Sequence, residues 1–250
     1  MTAQSPPLAG RVAVVTGAGR NIGRAIALAL AADGARVVVN VRANRAEAES
    51  VATAIEQAGG EALVAVADVM RAYAVEAMVE AAVARFGRID VLVNNAAVRR
   101  EAPFAEITPP EWRDALGTIL DGAFHCAQAC LPHLRDSDQG AIVNIGGMTG
   151  ESGAARRAHV VTAKAGLAGL TRALAHELAA DGITVNCVSP GLIETIRDGA
   201  APHHHRTAVN ALGRRGTPEE VAAAVCYLCG PAARYVTGQM LHVNGGAWMG

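Results

Sequence analysis

Three glycines near the amino terminus have the spacing of a turn that holds phosphate groups. They lie in Thr16-Gly17-Ala18-Gly19-Arg20-Asn21-Ile22-Gly23, between an apolar run and a helix-like run. Glycines let the backbone approach a pyrophosphate, and the N-terminus of the following helix supplies N–H donors and a favourable dipole. The spacing is one residue longer than G-x-G-x-x-G, so on its own it fits a purely structural turn equally well. We predict dinucleotide binding by Gly17, Gly19, Arg20, Asn21, Ile22 and Gly23.

Two arginines near this turn indicate which dinucleotide would bind. Arg42 follows the second apolar run, where a carboxylate would bind a ribose 2′-hydroxyl and an arginine would accept a 2′-phosphate. Val41 precedes it, so no acid competes there, and Arg20 is a second cation in the turn. Either arginine alone is equally well explained as a solvated surface residue. Together they favour NADP(H) over NAD(H), and we add Asn40 to the predicted binding residues.

Alternating strand-like and helix-like segments must position these residues. The predicted strands are Arg11–Thr16, Arg36–Asn40, Ala62–Ala67, Ile89–Asn94, Ala141–Ile145, Thr184–Ser189 and Met240–Val243. The predicted helices are Ile22–Asp33, Asn44–Ala58, Tyr73–Phe86, a longer one from Pro109 and Pro110 towards Leu134, Ala163–Ala180 and Pro218–Cys229. Strands this apolar need helices on both faces, which predicts an α/β, Rossmann-type, doubly wound parallel sheet in a single domain over residues 1–250. The irregular stretch 196–212 is predicted to be a lid loop over a substrate pocket.

Composition excludes several classes of protein. The 250 residues are 51% hydrophobic and 18% charged, with a net charge of -1, which gives no basic surface for nucleic acid. No apolar run is long enough to span a membrane, and the amino terminus lacks the pattern of a secretion signal, so we expect a cytoplasmic protein. Five cysteines, an odd number, argue against a disulfide framework. Cys226-x-x-Cys229 lies in an alanine-rich helical run and is interpreted as structural, not as a metal or redox site.

Further motifs follow one another in a fixed order along the chain. They are Thr16-Gly17 with Gly23, Asp68-Val69, Asn94-Asn95-Ala96-Ala97, Pro190-Gly191-x-x-x-Thr195 and Thr237-Gly238-Gln239 with Gly245-Gly246. In this order they resemble the short-chain dehydrogenase/reductase family, from Gly10 to Gly246. The resemblance implies a Rossmann fold, a homotetramer or homodimer, and a small-molecule substrate. It also implies that the cofactor contacts Asp68, Val69, Asn95, Ala96, Pro190, Gly191, Ile193 and Thr195.

Two positions depart from the family pattern near the cofactor. Asn21 replaces the middle glycine of the turn, and asparagine tolerates positive φ better than most residues, so we expect the turn to survive. Ala97 replaces the last glycine of Asn-Asn-Ala-Gly and adds one methyl group. Neither change is expected to abolish dinucleotide binding.

The predicted catalytic positions depart much further. The resemblance implies an Asn-Ser-Tyr-Lys tetrad, in which a cation-activated phenol exchanges the proton. Lys164 matches the lysine and is also expected to hold the nicotinamide ribose. However, the other three positions hold Val160 for tyrosine, Gly147 for serine and Ile119 for asparagine. The thirteen residues from Gly147 to Val160 reproduce the family spacing, so the register has not slipped.

Several side chains remain as alternative proton donors. His159 neighbours the missing phenol and has a suitable pKa, although adjacent helical residues diverge by about 100°. We retain it with Lys164 as a candidate catalytic residue. Other candidates have ordinary loop, cap or solvent roles as their simpler explanation: Asp121, Thr149, Glu151, Ser152, Thr162 and His203–His205. We interpret none of these as a metal ligand, and the three tyrosines, Tyr73, Tyr227 and Tyr235, as packing residues.

These observations leave three functional hypotheses. The first is an NADPH-dependent reductase acting on an activated C=C or C=N bond, which does not need a phenol to protonate oxygen. The second is a non-catalytic NADP(H)-binding sensor or an inactive partner subunit. The third is a non-redox enzyme, such as a lyase, on the same scaffold.

Overall fold

A parallel sheet of seven strands forms the centre of the molecule, and the structure, a computed structural model, describes residues 5–196 and 210–250. The strand order is β3-β2-β1-β4-β5-β6-β7, and every neighbouring pair is parallel. The strands are β1 (Val12–Val15), β2 (Arg36–Val41), β3 (Ala62–Val66), β4 (Val91–Asn94), β5 (Ala141–Ile145), β6 (Thr184–Pro190) and β7 (Met240–Val243). This topology confirms the predicted Rossmann-type sheet.

Helices cover both faces of this sheet. They are α1 (Asn21–Ala32), α2 (Arg45–Gln57), α3 (Ala72–Phe86), α4 (Pro109–Leu116), α5 (Gly122–Arg135), α6 (Thr149–Ser152), α7 (Ala158–Glu177) and α8 (Pro218–Cys229). Short 3-10 helices lie at Phe104–Glu106, Ala179–Asp181 and Pro231–Ala233. Helices α1, α2 and α8 pack on one face, and α3, α5 and α7 pack on the other.

The central strand β1 shows why both faces are covered. Ala13 and Val15 belong to the core under α1, α2 and α8, whereas Val12 and Val14 belong to the core under α3, α5 and α7. Successive side chains of a strand point to opposite faces, so a run of four apolar residues needs a helical layer on each side. All four residues are fully buried.

Three helical details differ from the sequence prediction. The helix expected from Pro109 to Leu134 is interrupted by a π-helical turn at Gly117–Asp121. Two glycines of this segment pack closely against the chain after β3: a Cβ on Gly117 would lie 2.7 Å from Met70 Cε, and one on Gly122 would lie 2.6 Å from Val69 Cγ2. Helix α7 begins at Ala158 instead of Ala163, and the short helix α6 was not expected.

Residues 197–209 of the predicted lid 196–212, which include His203–His205, lie outside the described residues. All five cysteines are free, and Cys226 and Cys229 lie in α8. Within the described residues, no helix is long and apolar enough to cross a membrane.

Candidate active site

The polar groups at the carboxyl ends of β1 and β4 form one hydrogen-bond network. The Thr16 hydroxyl accepts from the backbone N–H groups of Asn95 and Ala96, at 2.9 and 3.0 Å. The Asn95 side-chain amide donates to the carbonyls of Thr16 and Gly17, both at 2.9 Å. After β1 the chain continues to β2 on one side of the sheet, and after β4 it continues to β5 on the other side. The network therefore lies at the topological switch point, where such sheets bind ligands.

The glycine turn between β1 and α1 is fixed by close backbone packing. A Cβ on Gly23 would lie 2.2 Å from the Gly17 carbonyl oxygen and 2.5 Å from Asn95 Nδ2, so only glycine fits there. Asn21 adopts φ 50°, which confirms the expected positive φ at this position. Its side chain accepts from Ile196 N at 2.8 Å and donates to Ile196 O at 3.2 Å. Asn21 therefore links the glycine turn to Ile196, the residue after Thr195, through two hydrogen bonds.

A cavity of about 760 Å³ extends from this turn along the ends of β2 and β3. Twelve of the predicted cofactor-binding residues line it: Gly17, Gly19, Arg20, Asn21, Ile22, Gly23, Asn40, Arg42, Asp68, Val69, Asn95 and Ala96. We call it the large cavity. Asn40 also has a structural role, because its side-chain amide donates to the carbonyls of Ala65 and Ala67 at 3.2 and 3.0 Å.

Four arginines and two carboxylates, Glu47 and Asp68, are among the described residues that line the large cavity, so its formal charge is positive. Arg20 and Arg42 line it as expected, together with Arg100, which the sequence analysis did not single out. A carboxylate also lies beside Arg42, although none precedes it in the sequence: Asp114 Oδ1 is 3.7 Å from Arg42 Nη1. Asp114 Oδ2 is 3.6 Å from Arg100 Nη2, so this single carboxylate holds two arginines side by side.

A smaller cavity of about 140 Å³ adjoins the large one. Ile22, Asn95, Ala97, Val98 and Arg99 line both cavities, so the two are continuous. The remaining predicted cofactor-binding residues line the smaller one: Lys164, Pro190, Gly191, Ile193 and Thr195. We call it the small cavity. Every residue predicted from sequence to contact the cofactor thus faces one continuous space.

Lys164 is the chain's only lysine, and it is buried in the wall of the small cavity. Its ammonium group donates to the carbonyl of Ile145, at the end of β5, at 2.5 Å. Burial lowers the pKa of Lys164 to about 8; the Cys187 thiol opposes this effect, and the charges of Arg99 and Arg157 add to it. With a pKa of about 8, Lys164 remains mostly protonated at pH 7, so it can donate hydrogen bonds there, and it loses its proton at mildly alkaline pH.

Apolar residues occupy the wall next to Lys164. Gly147 and Val160 both line the small cavity, and a Cβ added to Gly147 would meet no atom within 4 Å. Ile119, in the π-helical turn, and Val160 belong to one buried cluster with Ala115, Ala163 and Leu167. None of Gly147, Val160 and Ile119 has a side chain that transfers a proton or makes a hydrogen bond.

His159 is buried on the α4 side of α7 and lines neither cavity. Burial lowers its pKa, the nearby charge of Glu111 on α4 raises it, and its Nδ1 has no hydrogen-bond partner among the described residues. Its catalytic role remains a prediction.

Three arginines that were not predicted from the sequence also line these cavities. Arg99 and Arg157 line the small cavity and Arg100 lines the large one. A signal for them was present, because Arg99 and Arg100 directly follow Asn94–Val98, and Arg157 lies three residues before Val160. The interpretation of the three tyrosines as packing residues is wrong, because all three are exposed on the described surface; they line neither cavity.

Comparison with known proteins shows similarity along almost the whole chain. The family model described as enoyl-(acyl carrier protein) reductase matches residues 17–247. The 3-oxoacyl-(acyl-carrier-protein) reductase FabG of Vibrio cholerae is 42% identical over 245 residues, which cover 97% of this chain and 99% of that protein. The Staphylococcus aureus protein of the same name is 40% identical over 240 residues, which cover 95% and 98%.

A solved structure gives the same result in three dimensions. A short chain dehydrogenase from Burkholderia cenocepacia, determined in complex with NADP, superposes with a TM-score of 0.91 at 34% identity. The superposition covers 96% of this chain and 99% of that one. The similarity in sequence and in fold therefore extends over nearly the whole length of this chain and of these proteins.

Proposed function

The chain belongs to the short-chain dehydrogenase/reductase family, and from this premise we propose that it is an NADP(H)-dependent oxidoreductase that lacks the family's proton relay. In this proposal the substrate is a small molecule with an activated C=C or C=N bond. The observation that carries it is the small cavity, where Lys164 lies beside Gly147 and Val160 in direct continuity with an arginine-lined cofactor cavity.

The residues of the large cavity fit a dinucleotide. Gly17 and Gly23 allow close approach of the backbone at the N-terminus of α1, where a pyrophosphate is stabilised. Thr118 supports the same assignment: it lines the cavity, and its buried hydroxyl has no hydrogen-bond partner among the described residues. A bound ligand would supply that partner.

The charges of the large cavity fit NADP(H) specifically. Arg20 and Arg42 face the end of β2, and Asp114 holds Arg100 next to Arg42. A planar guanidinium matches phosphate geometry, whereas a ribose 2′-hydroxyl is recognised by a carboxylate. The Burkholderia cenocepacia relative was determined in complex with NADP, which supports the same cofactor here.

NADPH, when bound, would supply a hydride to the electrophilic carbon of the substrate and be oxidised to NADP⁺. The role of the protein is to hold the substrate against the ring and to exclude water. In a protonated imine the electron pair of the C=N bond moves to nitrogen, which becomes a neutral amine without a further proton. In an activated C=C bond the resulting carbanion takes a proton from a donor or from water. Val160 and Gly147 can therefore replace the family's tyrosine and serine for such substrates.

We assign Lys164 to the nicotinamide ribose, because it lies in the cavity wall and its pKa of about 8 suits hydroxyl binding and proton release. For substrates that need a proton, His159 is the alternative donor. It would reach the substrate only if α7 moved relative to α4. The predicted lid, the homotetramer or homodimer, and the cytoplasmic location remain part of this proposal.

Cofactor titration followed by a substrate screen tests the proposal. NADPH and NADH are titrated by fluorescence, and enones, cyclic imines and ketones, including a 3-oxoacyl thioester, are then screened for NADPH loss. We expect NADPH to bind at least about ten-fold more tightly than NADH, since each charge-assisted phosphate contact contributes about 1.5–3 kcal/mol. Turnover is expected with an enone or an imine and not with a simple ketone.

The outcomes separate the competing functions. Tight NADPH binding with no turnover of any class would favour the non-catalytic sensor or partner subunit. Turnover of the 3-oxoacyl thioester at a normal enzymatic rate would show that another group replaces the tyrosine. An NADH preference would overturn the role given to Arg42, and Arg42→Ala serves as the control because it should remove the NADPH preference.

A further inference from the structure

Three cationic side chains line the small cavity. Lys164 extends from α7, Arg157 lies at the N-terminus of the same helix, and Arg99 comes from the loop after β4. Among the described lining residues, Glu101 is the only carboxylate. The formal charge of this lining is positive, in a space where charges interact more strongly than in water.

The side chain of Arg99 makes different contacts from that of its neighbour Arg100. Arg100 lies 3.9 Å from Glu111 and 3.6 Å from Asp114, and is thereby held on α4. Arg99 Nη1 donates instead to the Thr195 hydroxyl, at 3.4 Å, on the opposite wall of the small cavity. The guanidinium of Arg99 therefore lies next to Thr195, one of the residues expected to contact the cofactor.

The loop that carries Arg157 is fixed in an uncommon backbone conformation. Arg156 has φ 65°, and its carbonyl accepts a hydrogen bond of 2.9 Å from Ala102 N. This bond joins the loop before α7, which carries Arg157, to the loop after β4, which carries Arg99. Non-glycine residues rarely adopt positive φ, and such conformations concentrate at binding and catalytic sites.

We infer that Arg99 and Arg157 bind a carboxylate on the substrate, so that the substrate class is a small organic acid whose reducible C=C or C=N bond is adjacent to its carboxylate. This inference rests on the proposed function and adds the chemical class of the substrate. Two guanidinium groups match the two oxygens of a carboxylate, and a cavity of about 140 Å³ favours a small molecule. Ion pairing with two guanidinium groups would offset the negative charge of a conjugated carboxylate and so make the adjacent C=C or C=N bond a better hydride acceptor than it is in water.

Ligand binding without turnover provides the first test. The probes are crotonate and 1-pyrroline-2-carboxylate, each paired with a neutral counterpart of similar shape, crotonamide and 2-methyl-1-pyrroline. Propenylphosphonate distinguishes a carboxylate from another anion. Calorimetry on the NADP⁺-loaded protein should show each carboxylate binding at least about ten-fold more tightly than its neutral counterpart, since a hydrogen bond to a charged group contributes about that factor.

Arginine variants provide the second test. Arg99→Gln and Arg157→Gln should each weaken binding of the carboxylates by at least about ten-fold and leave the neutral probes unchanged. Arg156→Gln is the matched control, because Arg156 adjoins Arg157 and does not line the cavity. The affinity for NADPH should stay within about two-fold in all three variants. If Arg99→Gln weakens NADPH binding instead, Arg99 serves the cofactor and its assignment fails.

The results distinguish this inference from the proposed function. If enones or imines without a carboxylate turn over while carboxylates bind no better than amides, the proposed function stands and the substrate class is wrong. If carboxylates bind in an arginine-dependent way but no compound is reduced, the substrate class stands and the redox function is wrong. Tighter binding of the phosphonate than of crotonate would overturn the choice of a carboxylate.

Discussion

The glycine turn after β1 and the cavity wall between β5 and α7 belong to one continuous space but are built in opposite ways. Around the turn, the side chains of Thr16 and Asn95 satisfy backbone groups on two strands. Along α7, Val160 and Gly147 present apolar surface next to the buried ammonium group of Lys164. The first region combines polar groups with close packing, whereas in the second the Lys164 ammonium group adjoins two residues, Gly147 and Val160, that have no side-chain hydrogen-bonding group.

Under the proposed function, cofactor binding and proton transfer depend on separate parts of the fold. Thr16 and Asn95 also hold the ends of β1 and β4 together, so their loss would disturb the sheet. No comparable structural role is visible for a serine at position 147, where added atoms meet open space. Added side-chain atoms therefore have room at position 147, whereas a change at Thr16 or Asn95 would remove hydrogen bonds between the ends of β1 and β4.

Placing hydroxyl groups at positions 147 and 160 is the strongest test of the proposed contrast between the two regions. In Gly147→Ser/Val160→Tyr we expect reduction of a simple ketone by NADPH to rise by about 10²–10⁴-fold, the contribution of a positioned proton donor. Space exists for the serine, and Val160 lines the cavity where the phenol would lie beside Lys164. The measurement is the rate of NADPH loss with ethyl acetoacetate.

A matched variant shows whether the phenol itself is responsible. Gly147→Ser/Val160→Phe has the same ring without its hydroxyl group and should remain inactive towards the ketone. An equal gain in both double variants would mean that pocket shape, not the proton relay, limits the reaction. Adding Ile119→Asn is expected to reduce stability, because the amide would lie among Ala115, Ala163 and Leu167.

The strands could be predicted from sequence because their signal is local. Continuous apolar runs such as Val12–Val15 and Val91–Asn94 have the composition of doubly covered strands, and their bounds agree with the prediction to within two residues. The π-helical turn at Gly117–Asp121 could not be predicted, since it depends on Met70 and Val69 from another part of the chain. Its two glycines gave no sign of which side chains they would meet.

The site was predictable to the extent that motifs describe backbone geometry. The glycine turn and the positive φ of Asn21 follow from residue types at fixed spacing. Partners that come from distant elements do not: Asp114 reaches Arg42 from α4, and Arg99 reaches Thr195 across the cavity. Side-chain direction also depends on packing, so the burial of His159 against α4 was not apparent from its place beside Val160.

A second prediction concerns the energetic cost of the buried lysine. The pKa of Lys164 is lowered from its ordinary value near 10.5 to about 8, mainly by burial. Between these pH values the unfolded chain keeps the proton that the folded protein has lost, so stability rises with pH over this range, by about 3 kcal/mol in total. Below about pH 8 both states are protonated and this effect is constant.

The measurement is urea unfolding of the cofactor-free protein at pH values from about 7.5 to 10.5, compared with Lys164→Met. Because the chain has no other lysine, the difference between the two proteins isolates this ammonium group. The stability of the wild type relative to Lys164→Met should rise as the pH increases through 8. A constant difference would show that the lysine is solvated, and the contrast between the two regions would then be smaller than we describe.

A third prediction tests the close packing of the cofactor region. Gly23→Ala places a methyl group 2.2 Å from the Gly17 carbonyl oxygen, so the turn must move. Overpacking of this kind costs about 1–3 kcal/mol, and we expect NADPH binding to weaken by about 10- to 100-fold. The control is Gly169→Ala in α7, where the added Cβ meets no atom within 4 Å and helix propensity should increase stability slightly. Equal affinity in both variants would contradict the role given to the turn.

The smallest expected effect is that of removing the buried imidazole. His159 packs between α7 and α4, its pKa is lowered by burial, and it faces neither cavity, so a proton could reach the substrate from it only after the helices separate. For His159→Gln we therefore expect the rate with the best substrate to change by less than about three-fold. The pH dependence of kcat/KM should keep its shape. By contrast, loss of a true proton donor lowers the rate by about 10²–10⁴-fold. Thermal unfolding of the same variant separates a packing defect from a catalytic one. A loss of about 100-fold with an unchanged melting temperature would make His159 the proton donor, and the apolar wall beside Lys164 would then no longer define the chemistry of the site.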